Sequence, residues 1–187
     1  MTELKYKVVA TIDDDTHENP TEWSDERKVY SFNRRHRSFK DPDDFGLVGR
    51  APDVTSTQVG LRKKLEAGTA FILSCYQHSG IVWSLMGEGM QDRWDTAPVA
   101  GLLFQKGKRG ESYEKRAERA RDWLEVYNAW CNGEVYLVRL VQIDPETDDE
   151  ITDLEVSSGH YGTDDAESAA REMCADHGVP YPGITYE

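Results

Sequence analysis

The sequence of 187 residues contains only three cysteines, Cys75, Cys131 and Cys174. An odd and sparse set cannot form the closed disulfide framework of a small secreted domain, and it favours a reducing compartment. The chain has no apolar run of about 18 residues, and its first residues lack the basic and apolar regions of a signal peptide. We therefore expect a cytoplasmic protein that neither crosses a membrane nor is secreted.

The sequence also lacks the motifs that identify common catalytic sites. It has no Gly-x-Ser-x-Gly nucleophile elbow, and its short glycine pairs do not have the spacing of a phosphate-binding loop. No cofactor and no catalytic residue are predicted. These absences favour a binding protein over an enzyme and leave enzymatic activity as an open alternative.

Basic residues are scarce toward the end of the chain. Residues 142–187 contain thirteen acidic residues and one base, Arg171, so that this segment carries −12 of the total net charge of −13. An acidic surface repels nucleic acid and attracts basic protein surfaces. The residues predicted to bind a partner are Asp144, Glu146, Asp148, Asp149, Glu150, Asp153, Glu155, Asp164 and Asp165. The alternative is that these charges only keep the protein soluble.

Hydrophobic periodicity predicts an α+β fold. Strands are expected at residues 5–12, 28–32, 69–76, 81–85, 99–104, 134–143 and 151–156, and helices at 56–67, 112–131 and 166–176. Residues 33–54 read as a long loop and the last seven as an exposed tail. We predict a single domain over residues 1–187, with a mixed or mainly antiparallel sheet, one long amphipathic helix and an acidic hairpin and helix at 134–178.

A basic segment follows the second predicted strand. Arg34, Arg35 and Arg37 carry guanidinium groups that bind phosphate well, and Tyr30, Phe32 and Phe39 are possible platforms on which the bases of a single strand stack. The net charge of the chain opposes this interaction at physiological salt. Nucleic-acid binding through the three arginines is therefore an alternative function.

Two Cys-x-x-His pairs, Cys75 with His78 and Cys174 with His177, together supply the ligand types of a tetrahedral zinc site. The pairs are far apart in the sequence and no zinc-knuckle pattern surrounds them, which favours buried cysteines and surface histidines. Residues 13–15 are three consecutive aspartates without the alternation of a calcium loop, and they are expected to form a solvated acidic turn. No metal site is predicted.

Several segments resemble a family of small uncharacterised proteins encoded by bacteriophages, prophages and other mobile elements. The segments are Ile12-Asp13-Asp14-Asp15 through Asn19-Pro20, Asn33-Arg34-Arg35-His36-Arg37, His78-Ser79-Gly80, Arg93-Trp94-Asp95-Thr96 leading to Val99-Ala100-Gly101, and residues 127–136 with Asn-Gly-Glu-Val-Tyr. Relatives usually carry different residues at 97–98 and 137–138. The resemblance supplies no reaction, but it implies an accessory protein that acts inside a host cell.

Two functional hypotheses follow from the resemblance and the charge. The first is a protein that binds and inhibits a host protein, such as a defence or DNA-processing complex, through an acidic face that mimics DNA. The second is a ligand-binding protein or enzyme with a pocket formed by His78, Ser79, Trp94 and Asp95, where segments shared with relatives cluster.

Overall fold

The structure is a computed structural model that describes residues 4–15, 18–47 and 58–187. The strands are β1 (Lys5–Ile12), β2 (Arg27–Ser31), β3 (Ala70–Gln77), β4 (Ile81–Leu85), β5 (Thr96–Gln105), β6 (Val135–Ile143), β7 (Glu150–Tyr161) and β8 (Ile184–Tyr186). The helices are α1 (Val59–Glu66), α2 (Tyr113–Cys131) and α3 (Thr163–Asp176), and a short 3₁₀ helix spans Pro42–Phe45.

The chain divides into two compact units, each containing one four-stranded sheet. The terminal unit consists of Met1–Glu18 and Ala129–Glu187, and its strands are ordered β7-β6-β1-β8. The central unit consists of Asn19–Asn128, and its strands are ordered β2-β5-β3-β4. Among the named strands of the described residues, the neighbouring pairs are antiparallel except β1 with β8. The predicted α+β class, with one long helix and mainly antiparallel pairing, is confirmed.

In the terminal unit, α3 packs on one face of the sheet. Strand residues alternate between faces, so Val8 on β1 and its neighbour Leu140 on β6 point to the same side. They form a core with Ala170, Met173 and Cys174 of the helix. Small alanines in α3 let the helix lie close to the strands, because they bring no bulk between the two backbones.

In the central unit, the antiparallel strands β3 and β5 form the middle of the sheet. Ile72 and Leu102 face each other across the two strands and pack with Leu61 of α1 in a buried cluster. Gln105 connects the sheet to α2, because its buried side-chain amide donates to the backbone carbonyl oxygen of Arg116 at 2.8 Å.

Some predictions require correction. The last residues are mostly exposed, as predicted, but they are not an unpaired tail, because β8 pairs in parallel with β1, with Val8 opposite Ile184. The aspartates at 13–15 are not uniformly solvated, because Asp13 is only 4% exposed. Residues 48–54 of the predicted loop and 56–57 of the first predicted helix lie outside the described residues.

No helix in the described part of the chain is both long enough and apolar enough to cross a membrane.

Candidate functional site

A cavity of about 450 Å³ lies in the central unit, where β2 and β3 end and β5 begins. We call it the Trp94 cavity. Its lining residues are Phe32, Asn33, His36, Cys75, Gln77, Trp83, Trp94, Asp95, Thr96, Ala97, Val99 and Ala100. Its volume is within the usual range for small-molecule sites, which is roughly 300–1,000 Å³.

The loop after β2 contributes His36 to the cavity. The Asn33 side chain accepts from the backbone N–H of Arg35 at 3.1 Å, which closes a tight turn, and its amide contacts His36 Nε2 at 3.4 Å. Since the Asn33 amide donates to Nε2, this nitrogen acts as the acceptor of the ring. The ring proton is therefore placed on Nδ1, and this N–H donates to the Ser31 hydroxyl at 2.9 Å. Ser31 is completely buried, so the ring is held against the sheet.

A second loop presents Trp94. The Asp92 carboxylate accepts from the backbone N–H groups of Trp94 at 2.7 Å and Asp95 at 3.0 Å, and these two bonds lower its pKa. The Thr96 hydroxyl donates to the Met90 carbonyl and so fastens the base of the same loop. Trp94 is 83% exposed at the tip of this loop. The Arg93 guanidinium lies over this ring, 5.2 Å from its centroid, and the large exposed fraction of the indole leaves surface on which a ligand can stack.

The structure brings together only part of the predicted pocket. Trp94 and Asp95 line the cavity, whereas His78 and Ser79 are not among its lining residues. His78 still contributes, because its Nδ1 lies 3.1 Å from the Asp95 carboxylate. Its side chain is 68% exposed, so the pair is a surface contact that orients Asp95 and does not form a buried acid–base couple.

Trp83 forms part of the wall and was not predicted as a site residue. The Asn128 side chain accepts from the Trp83 backbone N–H at 2.8 Å and donates to the Trp83 carbonyl oxygen at 3.0 Å. The ring of His36 meets the Trp83 ring edge-on, with centroids 6.0 Å apart. The sequence placed Trp83 in a strand, where alternation alone does not distinguish a core residue from one that faces a cavity.

The Trp94 cavity offers flat apolar surface and hydrogen-bonding groups on the same wall. Phe32, Trp83 and Trp94 supply the rings, and Asn33 and Gln77 can each donate and accept. The arrangement therefore suits binding of a planar molecule with polar edges.

The three arginines predicted to bind nucleic acid lie beside the cavity. Arg34, Arg35 and Arg37 are exposed on the loop that contributes Asn33 and His36. Of the three aromatic platforms considered with them, Phe32 lines the cavity, Tyr30 packs against Phe45 and Phe104 elsewhere, and Phe39 is half-buried and forms a bridge with Ser31.

The acidic residues predicted to bind a partner lie on the hairpin of β6 and β7 and at the start of α3. Three of those on the hairpin are in ion pairs: Asp148 with Lys5, Glu150 with Lys7 and Arg139, and Asp153 with Arg139. A fourth, Glu155, lies 3.1 Å from His177 Nε2. The bonds from Lys7 and Arg139 lower the pKa of Glu150. Part of the acidic charge therefore has a structural role in joining β7 to its neighbours.

The remaining acidic residues are arranged differently. Asp144 accepts from the backbone N–H of Glu146 at 2.8 Å and shapes the turn. Asp165 accepts from the Tyr161 N–H at 2.9 Å and lies 3.8 Å from His160. Glu146, Asp149 and Asp164 are exposed and form no ion pair within the described residues.

The two units differ strongly in charge. The terminal unit contains 19 acidic and 4 basic residues, a net charge of −15, whereas the central unit contains 16 acidic and 18 basic residues, a net charge of +2. The folded chain thus confines its excess negative charge to one unit.

The residues of the zinc hypothesis belong to different units. Cys75 is buried in β3 of the central unit and Cys174 is buried in α3 of the terminal unit. His177 pairs with Glu155 at 3.1 Å. Within the ranges that the structure describes, no group of three or more His, Cys, Asp or Glu residues is arranged to hold a metal ion.

Comparison of the chain with protein-family models, with curated proteins and with solved structures finds no match.

Proposed function

We propose that the central unit binds a small molecule with a planar heteroaromatic ring in the Trp94 cavity. This proposal rests on one observation: residues from separate parts of the chain line the same cavity. Asn33 and His36 come from one loop and Trp94 and Asp95 from another, while Asn128 of α2 holds the Trp83 backbone at the wall.

The chemistry of the wall supports a ring with polar edges. An exposed indole gains from stacking, because it covers apolar surface that water otherwise contacts. The amides of Asn33 and Gln77 and the carboxylate of Asp95 can pair with ring nitrogens and exocyclic groups, as nucleobases present them. Nucleosides are therefore suitable first probes. The arginines on the adjoining loop would strengthen binding when the ring carries a phosphate.

The test is calorimetric titration of the chain with adenosine, guanosine and their monophosphates. We expect saturable binding by at least one nucleoside, and Trp94→Ala should weaken it about tenfold, since stacking on an aromatic side chain is worth about 1–3 kcal/mol. Because the Trp94 side chain is 83% exposed, the melting temperature should stay nearly unchanged.

Trp23→Ala is the matched control, because Trp23 is exposed in the same unit and is not among the cavity's lining residues. An equal loss of affinity in both variants, or no saturable binding of any nucleoside in the millimolar range, contradicts the proposal. Tighter binding of a single-stranded oligonucleotide than of the monophosphates, lost when Arg34, Arg35 and Arg37 become Gln, supports the nucleic-acid alternative instead.

A second candidate function concerns the terminal unit. We propose that it binds a basic surface of a host protein and competes there with DNA, as expected of an accessory protein of a phage or mobile element. The specific observation in its favour is the net charge of −15 carried by this unit alone. Such a field accelerates encounter with basic partners and is screened by salt.

The ion pairs of the hairpin determine which substitutions test this second candidate. A lysine at position 150 would face Lys7 and Arg139 and would disturb the sheet, whereas Glu146 and Asp149 are exposed and unpaired in the described structure. The double variant Glu146→Lys/Asp149→Lys should release a host protein that the unaltered chain captures from lysate at low salt.

The control is Glu118→Lys/Glu125→Lys, the same change in charge at exposed positions of α2 in the central unit. Duplex DNA added to the captured complex should displace the host protein if the acidic surface mimics DNA. Capture that survives the hairpin variant, or that DNA does not reduce, contradicts the mimicry.

A further inference from the structure

A second cavity of about 450 Å³ lies at the opposite end of the central sheet, where β2 begins and β5 ends. The antiparallel register places Lys28 opposite Phe104 and Arg27 opposite Gln105 at this end. Lys64 of α1 and Lys106, which follows β5, complete the basic part of the wall. We call this the lysine cavity, and the site proposed above does not include any of its residues.

The lysine cavity has an aromatic wall. The rings of Tyr30, Phe45 and Phe104 pack together, with centroid distances of 5.6 Å, 5.8 Å and 6.1 Å. These side chains are only partly buried, so the cluster presents ring surface to the cavity. The Lys64 ammonium group lies over this cluster, 5.0 Å from the centroid of Phe104. A cation and an aromatic face are therefore adjacent on one wall.

The cations of this cavity have no carboxylate partner in the described part of the chain. Within the described residues, no carboxylate oxygen lies within 4.0 Å of the charged groups of Arg27, Lys28, Lys64 or Lys106, although Asp25 and Glu26 also line the cavity. Lys28, Lys64 and Lys106 are exposed, and the four cations outnumber the two carboxylates that line the cavity.

The neighbouring cations on α2, by comparison, form ion pairs. Arg116 and Arg119 both pair with Glu111, at 3.4 Å and 3.0 Å, and the hydrogen bond from Arg119 lowers the pKa of Glu111 to about 2. Arg27 forms no such ion pair: its Nε is buried without a hydrogen bond and its guanidinium lies over the Trp123 ring, 5.7 Å from the centroid. Burial and the charge of Arg119 lower its pKa more than the carboxylates of Glu26 and Glu111 raise it. Positive charge therefore predominates at this end of the sheet, which favours an anion there.

We infer that the lysine cavity binds a flat organic anion, with its ring against Tyr30, Phe45 and Phe104 and its phosphate, sulfonate or carboxylate between Lys64 and Lys106. The rings favour an aromatic body over a bare inorganic ion, and the unpaired lysines favour a charged ligand over a neutral one. This site is separate from the Trp94 cavity, because the two lie at opposite ends of β2 and β5.

The test compares three probes at low salt by calorimetry: 1-naphthyl phosphate, 1-naphthol and inorganic phosphate. We expect 1-naphthyl phosphate to bind most tightly, because only this probe uses both the rings and the cations. In the double variant Lys64→Gln/Lys106→Gln its affinity should fall about tenfold, since each exposed charge contact adds a factor of about three. The salt dependence of the remaining binding should also become weaker.

The control is Lys63→Gln/Lys115→Gln, which removes two exposed charges from the same unit at positions that are not among the cavity's lining residues. Its affinity for 1-naphthyl phosphate should match that of the unaltered chain. The inference is wrong if this control loses as much affinity, if inorganic phosphate binds as tightly as 1-naphthyl phosphate, or if no probe saturates.

Trp94→Ala separates this inference from the proposed function. It should leave the affinity for 1-naphthyl phosphate unchanged, since Trp94 lines the other cavity. Loss of naphthyl phosphate binding in Trp94→Ala would place the probe in the Trp94 cavity and overturn the assignment made here.

Discussion

Gly101→Ala is expected to destabilise the central unit by about 3 kcal/mol, because the added methyl group has no space. Gly101 lies in β5 between two strands, opposite Ser31 on β2 and Leu73 on β3. A Cβ atom at this position would lie 2.5 Å from the backbone oxygen of Tyr30 and 3.1 Å from the ring of Trp83. The added methyl group would press on the Tyr30 backbone on one side and on the packed indole of Trp83 on the other. Relieving both contacts would require β2 to separate from β5.

Urea unfolding followed by tryptophan fluorescence and circular dichroism measures this loss. Gly60→Ala is the control with the opposite sign, because Gly60 lies within α1 and a Cβ there meets nothing within 4 Å. Alanine in a helix is favoured over glycine by about 0.5–1 kcal/mol, so this variant should be slightly more stable. A Gly101→Ala chain as stable as the unaltered one would contradict the close approach of β2 and β5.

Asp13→Ala is expected to cost about 1–3 kcal/mol of the stability of the terminal unit, because it removes a buried carboxylate that accepts from two backbone donors. The Asp13 carboxylate accepts from the backbone N–H of Gly159 at 3.0 Å and of Asp15 at 3.2 Å. Gly159 has a φ of +78° and lies in β7 where the register with β6 shifts. A bulge of this kind leaves a backbone N–H of the strand without its usual acceptor on the neighbouring strand. The Asp13 carboxylate accepts from the Gly159 N–H in its place.

Asp14→Ala is the matched control for this prediction. Asp14 is the exposed neighbour of Asp13, so its removal should change stability by less than about 0.5 kcal/mol. Asp13→Asn keeps one side-chain oxygen and should recover part of the loss. Equal urea midpoints for the Asp13→Ala and Asp14→Ala variants would mean that the carboxylate does not hold β7.

Local patterns predicted the main elements of the fold. The alternation in residues 5–12 and 81–85 matches β1 and β4, and the spacing of apolar residues over 112–131 matches α2 within one residue. Such patterns depend on neighbours a few positions apart, which the sequence displays directly. Boundaries were less accurate where strands extend through polar residues, as in β7, which runs from Glu150 to Tyr161.

The candidate site could be predicted only in part. Trp94 and Asp95 stood in a loop between two strands, and such positions often carry function. Trp83 and Phe32 read as strand residues of the core, and nothing in the sequence indicated that both line the cavity with Trp94. His78 was close in sequence to the site residues but contributes only by contact with Asp95.

The sequence alone determined the α+β class, the long helix and the excess of acidic residues after position 142, since these follow from composition and local periodicity. The tertiary structure decided how those residues are used. It buries Asp13 beside Gly159, pairs Glu150 with Lys7 and Arg139, and adds β8 beside β1. These contacts join residues as many as 176 positions apart, as Val8 and Ile184 are, and a partner at that distance depends on how the whole chain folds.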